Sequence, residues 1–387
     1  MGTVSTMPSG SAFELSQGDR DLLEAAEEVG RDLVPLAAAG TPGNLNRPLI
    51  SALAETGLVG RLFPAGGEAR AMELCLIRQG LARSSTSAET AFAMQALGAY
   101  PILQSADEEH RERWIPEVAA GRAVPGFALT ETGTGSDAAH LALAAEADGE
   151  GYRLTGNKAY ISNAPEADVY TVFARTGPDP GAAGVTAFVI PGDSAGLSGS
   201  PVAMLGSHPL GNLTFDAVPA GRNQVIGEVG RGFRVAMRTL DLFRPSVGAF
   251  AVGMAEAALR LAVAHAATRE AFGQPLAAFQ AVSHQLADMA VRIDAARLLV
   301  YQSASTHDRG ASAVLTGMAA AAKLAATETA QFVVDAAIQL HGARGLEASH
   351  PLSHLYQEVR APRIYEGASE IQRNIISREL LAGRWIR

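Results

Sequence analysis

Cysteine is almost absent from this chain of 387 residues, which contains only Cys75. One cysteine excludes an internal disulfide and any metal site built from several thiolates. Cys75 stands in the mostly apolar segment 72–77, which indicates a buried helix face rather than a reactive thiol. We assign no metal ligands in this sequence.

Basic residues are also in short supply, because 31 Lys and Arg face 40 Asp and Glu and leave a net charge of −9. They are scattered and form no stripe of the kind that nucleic-acid binding needs, so we expect no nucleic-acid partner. We find no apolar run long enough to cross a bilayer and therefore expect no membrane association. The N-terminus lacks the basic and apolar regions of a secretory signal, which favours a cytoplasmic location.

What the sequence does contain is a high hydrophobic content, 48% against 18% charged residues, which is typical of a globular protein. Its spacing changes twice along the chain. After an expected mobile tail at residues 1–15, helical spacing covers 16–122 and returns at 231–387. Between them, residues 123–230 are rich in Gly, Pro, Asn and Asp and contain short alternating runs. We predict an N-terminal helical domain, a middle, mostly antiparallel β domain and a C-terminal helical bundle, an α+β multidomain fold.

Individual elements can be placed from the same periodicity. Helices are predicted at 72–83, 89–103, 233–269, 280–307, 312–340 and 369–381. Strands are predicted at 152–154, 169–174, 185–190 and 213–215, with a turn at 155–158.

The first segment that can carry chemistry is 127–137, which contains Gly133 and Gly135. Glycines let a ligand approach the backbone, and Thr130 and Ser136 add hydroxyl donors, which suits a phosphate or a polar ring edge. The segment formally matches a dinucleotide fingerprint. Strand-like alternation follows it in place of the required helix, so we reject a Rossmann loop. An ordinary glycine turn remains the alternative.

Three further segments can contact a cofactor. Tyr160 and Ser162 are two apart near the end of a strand, so their side chains should share a face and hold a flat ring; an ordinary edge strand is the alternative. Arg269 stands where Gly273 breaks a helix and can either clamp a pyrophosphate or cap the helix. The run 339–345 ends another helix in a glycine loop, which is common as a C-cap.

Glu366 is the candidate general base. It lies in a short segment between helical stretches, directly after Ile364 and Tyr365. Apolar surroundings desolvate a carboxylate and raise its basicity, which is the tuning that a base needs. A solvent-facing loop acid is the alternative for this segment alone.

Together, these segments resemble the acyl-CoA dehydrogenase family from about residue 16 to about residue 381. Two stretches carry the resemblance: Ala128-Leu129-Thr130-Glu131-x-Gly133-x-Gly135-Ser136-Asp137 and Ile364-Tyr365-Glu366-Gly367-x-x-x-Ile371-Gln372-Arg373. The family fold has an N-terminal helical domain, a middle β barrel and a C-terminal four-helix bundle. The resemblance implies FAD as the cofactor, an acyl-CoA substrate, an acceptor such as an electron-transfer flavoprotein, and a homodimer or homotetramer.

The resemblance also implies roles for single residues. At the flavin of the same subunit it places Phe127, Leu129, Thr130, Gly135, Ser136, Tyr160 and Ser162. At the FAD of a neighbouring subunit it places Arg269, Phe272, Gln280, Gln339 and Gly342. At the substrate it places Ser136, Asp241, Arg244 and Gly367. The cofactor site would then need at least a dimer.

The same resemblance makes Glu366 the base that removes the α-proton of the thioester while the β-hydrogen leaves as hydride to flavin N5. Some family members carry the base at the position of Phe243, which cannot ionise here. Departures from the family pattern include Ala368, where a hydroxyl residue is common near the adenosine, and a short connection at 65–68. Three alternatives stay open: an acyl group on a carrier protein as the substrate, an oxidase that passes its electrons to oxygen, and a non-catalytic scaffold.

Overall fold

The computed structural model describes residues 15–64, 69–310 and 312–385. The first part of the chain is helical, as predicted. Its helices are α1 (Gln17–Asp32), α2 (Val34–Ala39), α3 (Arg47–Glu55), α4 (Ala71–Ser84), α5 (Thr86–Ser105) and α6 (Glu108–Ala119). Ser16 caps α1, because its Oγ accepts the Asp19 amide at 3.1 Å while the Asp19 carboxylate accepts the Ser16 amide at 3.3 Å. The predicted tail up to residue 14 and the connection 65–68 lie outside the described residues.

The middle of the chain folds into an eight-stranded sheet. Its strands are β1 (Pro125–Ala128), β2 (Ala144–Asp148), β3 (Gly151–Ser162), β4 (Val169–Arg175), β5 (Val185–Pro191), β6 (Leu197–Pro201), β7 (Leu210–Gly221) and β8 (Val225–Ile226). The order is β6-β7-β3-β2-β4-β5-β8, with β1 paired to β4. Only the pairs β1–β4 and β2–β4 are parallel among the described pairs, so the mostly antiparallel sheet is confirmed.

The turn predicted at 155–158 is wrong, because these residues lie inside β3. Gly156 has a φ of +141°, and the pairing of β3 with β7 shifts register between Leu154 and Gly156. The glycine therefore marks a β-bulge within a long strand rather than a hairpin.

The last part of the chain is a helical bundle. Its helices are α7 (Gly232–Thr268), α8 (Gln280–Asp308), α9 (Ser312–His341), α10 (Pro351–Glu358) and α11 (Ser369–Leu381), with a small hairpin of β9 (Glu270–Ala271) and β10 (Gln274–Pro275) after α7. The three longest helices pack on one another, and α11 packs on α9. The eight-residue α10 was not predicted, because two turns give too little periodicity to recognise.

One hydrophobic core joins the two helical regions. α7 packs against both α4 and α9, and the shared core includes Leu74, Cys75, Phe250 and Met254. Cys75 is fully buried and free, as its apolar setting predicted. This packing brings side chains of α4 and α5 next to the segment between α10 and α11.

Helix α7 is long and apolar enough, by length and composition, to cross a membrane. The expectation that no apolar run has this length is therefore wrong. In the most apolar 18-residue stretch of this helix, 61% is buried inside the protein. Core helices of globular proteins meet the same test, so this helix is weak evidence for a membrane span.

Candidate active site

Glu366 lies between α10 and α11 in a left-handed backbone conformation, with a φ of +52°. Its backbone carbonyl accepts from Arg244 Nε at 3.4 Å and from Gln372 Nε2 at 3.3 Å. Its Oε2 is buried and has no hydrogen-bond partner among the described residues. Buried polar atoms are nearly always paired, so this acceptor stands open for a group that the chain itself does not supply.

Burial and nearby cations act in opposite directions on the pKa of Glu366. Burial raises the pKa of the carboxyl group above its ordinary value, while Arg78, Lys323 and Arg244 oppose that rise. Lys323 Nζ donates to the Gly367 carbonyl at 2.7 Å. Burial lowers the pKa of Lys323 to about 8. A carboxylate with raised basicity, held by a fixed backbone, has the properties of a general base.

Asp241 and Arg244 are held together on α7. Arg244 Nη1 donates to Asp241 Oδ1 at 3.1 Å, and Asp241 Oδ2 accepts from Thr316 Oγ1 at 3.1 Å. Arg244 is buried and also reaches the Glu366 carbonyl. In the structure, then, Arg244 fixes the base segment, and a contact between this pair and the substrate stays a prediction.

Gly367 follows Glu366 with a φ of +96°, in the left-handed region that favours glycine. A Cβ at this position would clash with the side-chain amide of Gln372. The Gly367 carbonyl accepts from both Lys323 and Gln372. Glycine is therefore favoured in the turn that presents Glu366.

The segment after β1 is anchored by a buried ion pair. Lys158 Nζ lies 2.8 Å from Glu131 Oε1 and donates to the Leu129 carbonyl at 3.0 Å. The Thr130 carbonyl accepts from the Ala159 amide at 2.9 Å. Phe127 packs its ring on Phe173, with centroids 4.9 Å apart. These contacts hold Leu129 and Thr130 in place at the edge of the sheet.

The glycine segment that follows has room for a ligand. A Cβ built on Gly133 or Gly135 would meet no atom within 4 Å, so nothing in the chain itself requires glycine there. Gly135 and Ser136 are exposed, and Thr134 Oγ1 is a buried hydroxyl oxygen without a described partner. Open glycines beside an unsatisfied hydroxyl fit a phosphate-bearing cofactor.

Tyr160 and Ser162 do not follow the regular alternation that we assumed. Tyr160 has a φ of +57°, and the pairing of β3 with β7 shifts between Lys158 and Ile161. The argument that both side chains share a face of a regular strand is therefore wrong. Tyr160 is 53% exposed, whereas Ser162 is half-buried.

Ser162 has an unexpected partner in His208, whose Nε2 lies 2.9 Å from Ser162 Oγ. Burial lowers the pKa of His208 to about 4, so the imidazole is neutral near pH 7. Its Nδ1 is buried without a described partner. An unpaired lone pair costs less than an unpaired N–H, which favours the tautomer with Nε2–H donating to Ser162. The serine hydroxyl is then free to donate to a ligand.

A separate group of predicted residues points outward. Arg269, Phe272, Gln280, Gln339 and Gly342 are all exposed, and Phe272 is 97% exposed. The ends of α7 and α9 meet where His265 stacks on His341 at 4.2 Å. Among the described residues, no hydrogen bond, ion pair or ring contact joins this group to Thr130 or Ser162. One subunit therefore carries two separate halves of the predicted cofactor site.

Several charged and polar residues near the site escaped the sequence analysis. Arg78 and Glu89 form a buried ion pair, and Lys158, Lys323 and His208 contact predicted site residues. The available signal was a charge inside an apolar helical stretch, as at Arg78 in Leu76-Ile77-Arg78. Periodicity alone does not say where such a charge finds its partner. Among the described residues, no group of His, Cys, Asp or Glu is arranged to hold a metal.

Models of three domains of the acyl-CoA dehydrogenases match the chain: the N-terminal domain at 16–122, the middle domain at 126–218 and the C-terminal domain at 230–381. Cyclohexane-1-carbonyl-CoA dehydrogenase of Geobacter metallireducens is 33% identical over 378 residues, 95% of this chain and 99% of the relative. Butyryl-CoA dehydrogenase from Megasphaera elsdenii has a similar structure, with a TM-score of 0.90, 32% identity and coverage of 96% of this chain and 100% of the other. The FAD complex of PigA matches with a TM-score of 0.90 and 26% identity, over 97% of this chain and 100% of the other.

Proposed function

Because the chain belongs to the acyl-CoA dehydrogenase family and uses FAD, we propose that it desaturates an acyl-CoA between the α- and β-carbons with Glu366 as the base. The observation that carries this proposal is the buried, unpartnered Oε2 of Glu366. A carboxylate oxygen without an internal partner, on a carboxyl group whose pKa is raised by burial, is ready to take a proton from bound substrate.

The residues around the base give it position and charge. Arg244, Lys323 and Gln372 hold the backbone of 366–367 through its two carbonyl groups. They bind the backbone and not Oε2 of the carboxylate, which stays open to the substrate α-proton. The same cations favour the ionised base, and burial keeps it basic. When bound, the flavin supplies the hydride acceptor at N5.

We assign the flavin ring to Phe127, Leu129, Thr130, Tyr160 and Ser162, and the nearby phosphates to Gly135 and Ser136. The free Ser162 hydroxyl and the open glycine segment support this assignment. We place Arg269, Phe272, Gln280, Gln339 and Gly342 against the FAD of a second subunit, because all five are exposed and lie apart from the first group. The active protein is then at least a homodimer.

We propose that the substrate binds at Asp241, Arg244, Ser136 and Gly367. The reduced flavin would pass its electrons to an electron-transfer flavoprotein. A solved structure of the electron-transferring flavoprotein of Acidaminococcus fermentans matches this chain with a TM-score of 0.90 and 30% identity. The domain limits 16–122, 123–230 and 231–387 and the cytoplasmic location remain predictions.

An anaerobic substrate screen tests the proposal. The FAD-loaded protein is mixed with saturated acyl-CoAs of increasing length and branching, and flavin absorbance is followed. We expect at least one thioester to bleach the flavin and to yield the 2,3-enoyl product. A flavin that stays oxidised with every thioester, while the protein is folded and loaded, would contradict the activity.

A further inference from the structure

The loop that carries Glu366 holds its backbone in an uncommon conformation. It joins the short 3₁₀ helix Ala361–Arg363 to α11, and both Glu366 and Gly367 have positive φ angles. A non-glycine residue keeps such a conformation only where its surroundings fix it. Among the described residues, none donates a hydrogen bond to the carboxylate of Glu366. The carboxylate is therefore placed through the backbone of its loop, and the anchors of that loop decide where the base lies.

One carboxylate on α9 ties both ends of the loop together. Glu328 Oε1 accepts from Ser369 Oγ at 2.6 Å, and Glu328 Oε2 lies 2.8 Å from Arg363 Nη2. Arg363 stands three residues before Glu366, and Ser369 stands three residues after it. The two oxygens of a single side chain therefore form a bridge across the segment that presents the base.

The charge of Glu328 suits this bridge. Burial acts to raise the pKa of its carboxyl group, but the hydrogen bonds from Ser369 and Arg363 lower that pKa below its ordinary value. The group is therefore ionised at neutral pH, and both contacts belong to the stronger, charge-assisted class of hydrogen bond. The pKa shift of Glu366 comes from burial, Arg78, Lys323 and Arg244. We therefore expect Glu328 to act on the base through geometry rather than through its charge.

Two other carboxylates show what distinguishes Glu328. Glu256 also accepts from several donors, but these lie on α4 and α8, so Glu256 joins helices to one another. Glu370 follows Ser369 in the chain, yet its side chain is 78% exposed and lies 3.6 Å from Arg373. Neither of these two carboxylates spans the loop of the base, whereas Glu328 does.

We propose that Glu328 is a positioning residue for the base: it joins Arg363 to Ser369 and thereby sets where the Glu366 carboxylate meets the acyl α-carbon. This inference rests on the proposed function. A general base must lie within hydrogen-bond reach of the proton that it removes. A misplacement of about 1 Å can cost roughly a hundredfold in rate. Loss of the bridge should therefore slow proton removal without weakening substrate binding.

Glu328→Gln tests the bridge with little change of shape, because the amide keeps one acceptor oxygen but turns an NH₂ group toward one of the two donors. Flavin bleaching by an active acyl-CoA is followed by stopped flow. We expect the limiting rate to fall about tenfold to a hundredfold, with the half-saturating substrate concentration near that of wild type. The acid limb of the pH profile should stay in place. An unchanged limiting rate, or weaker substrate binding with a normal limiting rate, would overturn the inference.

The fold should tolerate this substitution. The side chains of Glu328 and Arg363 are 31% and 30% exposed, and ion pairs with such access to water contribute little to stability. FAD content and melting temperature should therefore stay near those of wild type. If Glu328→Gln does not fold, Ser369→Ala carries the test, since it removes one end of the bridge. We expect it to show the same pattern with a smaller loss of rate.

Two further variants isolate the bridge. Glu328→Gln combined with Ser369→Ala should be little slower than Glu328→Gln alone, because both changes break one interaction. Glu370→Gln is the matched control, since it makes the same substitution next to Ser369 and leaves the bridge intact. Its limiting rate should equal that of wild type. Fully additive losses in the double variant, or an equal loss in the control, would contradict the inference.

Glu366→Gln separates this inference from the proposed function. If that variant bleaches its flavin at the wild-type rate, the base lies elsewhere and both proposals fall. If it is slow while Glu328→Gln and Ser369→Ala keep the wild-type rate, only the positioning role of Glu328 falls and the dehydrogenase activity stays in place.

Discussion

The proposed base and the residues proposed to bind the FAD of a second subunit lie in opposite surroundings. Glu366 is enclosed by its own chain. Arg244, Lys323 and Gln372 donate hydrogen bonds to the backbone carbonyls of 366–367. Arg269 and Phe272 are exposed, and no described contact joins them to Thr130 or Ser162. On the proposed function, the base is held by its own chain, whereas the exposed residues would bind FAD only across a subunit interface. Substitutions in the two regions should therefore impair different steps, namely proton removal at Glu366 and FAD binding at Arg269 and Phe272.

The largest expected effect is at the enclosed site. Glu366→Gln keeps the shape of the side chain but removes the basic carboxylate, and general bases contribute roughly 10² to 10⁴ in rate. FAD should stay bound, because the known contacts of Glu366 are with its own loop and its neighbours. Stopped-flow bleaching with an active thioester measures the rate. Wild-type bleaching by this variant would place the base elsewhere.

Arg269→Ala should instead weaken FAD retention and leave the base intact. Loss of hydrogen bonds to a charged phosphate predicts about tenfold to hundredfold weaker binding. Fluorescence titration of the apoprotein with FAD measures the effect. Arg309→Ala is the matched control, because Arg309 is also an exposed arginine at the C-terminal cap of a long helix. Equal losses in the two variants, or normal FAD binding by a monomer, would count against the shared site.

Lys323→Met should move the pH profile rather than abolish activity. The Lys323 cation opposes the rise in the pKa of Glu366, so its removal raises that pKa further. The base works only when deprotonated, and activity therefore falls as pH falls through the Glu366 pKa. The acid limb of kcat should shift to higher pH, with recovery at high pH. An acid limb that stays in place or moves to lower pH would show that the cation does not act on the base.

Ser162→Ala should have the smallest effect. One lost hydrogen bond to the flavin is worth about 0.5–1.5 kcal/mol, which slows flavin reduction by roughly tenfold at most. The melting temperature should stay near that of wild type. Thr86→Val is the matched control, because Thr86 Oγ1 also contacts a histidine, His354 Nε2, at 2.6 Å. Equal slowing of flavin reduction by both variants would contradict the hydrogen bond from Ser162 to the flavin.

The sequence predicted the long helices well because the 3.6-residue period persists over many turns. The prediction 369–381 coincides with α11, and 233–269 differs from α7 by one residue at each end. The turn at 155–158 failed because Gly156 marks a bulge inside β3, a choice that depends on the neighbouring strand β7.

The same limit applies to the candidate site. Glu366 and its apolar neighbours could be recognised in the sequence, whereas Arg78, Lys323 and His208 could not be placed there. Their partners lie far away in the chain, as with Lys323 and Gly367 or His208 and Ser162. Pairing across such distances is set by tertiary packing, which local periodicity does not contain. The roles of the individual site residues stay predictions until the variants are measured.

Proton removal by Glu366 can be measured without hydride transfer. A 3-thia acyl-CoA has sulfur in place of the β-carbon and cannot lose a β-hydride, but its α-protons remain acidic. In D₂O, NMR follows deuterium entering the α-position in the presence of the FAD-loaded protein. We predict wash-in with the wild type and none above background with Glu366→Gln. Equal exchange by the two proteins would contradict the central claim that Glu366 is the base.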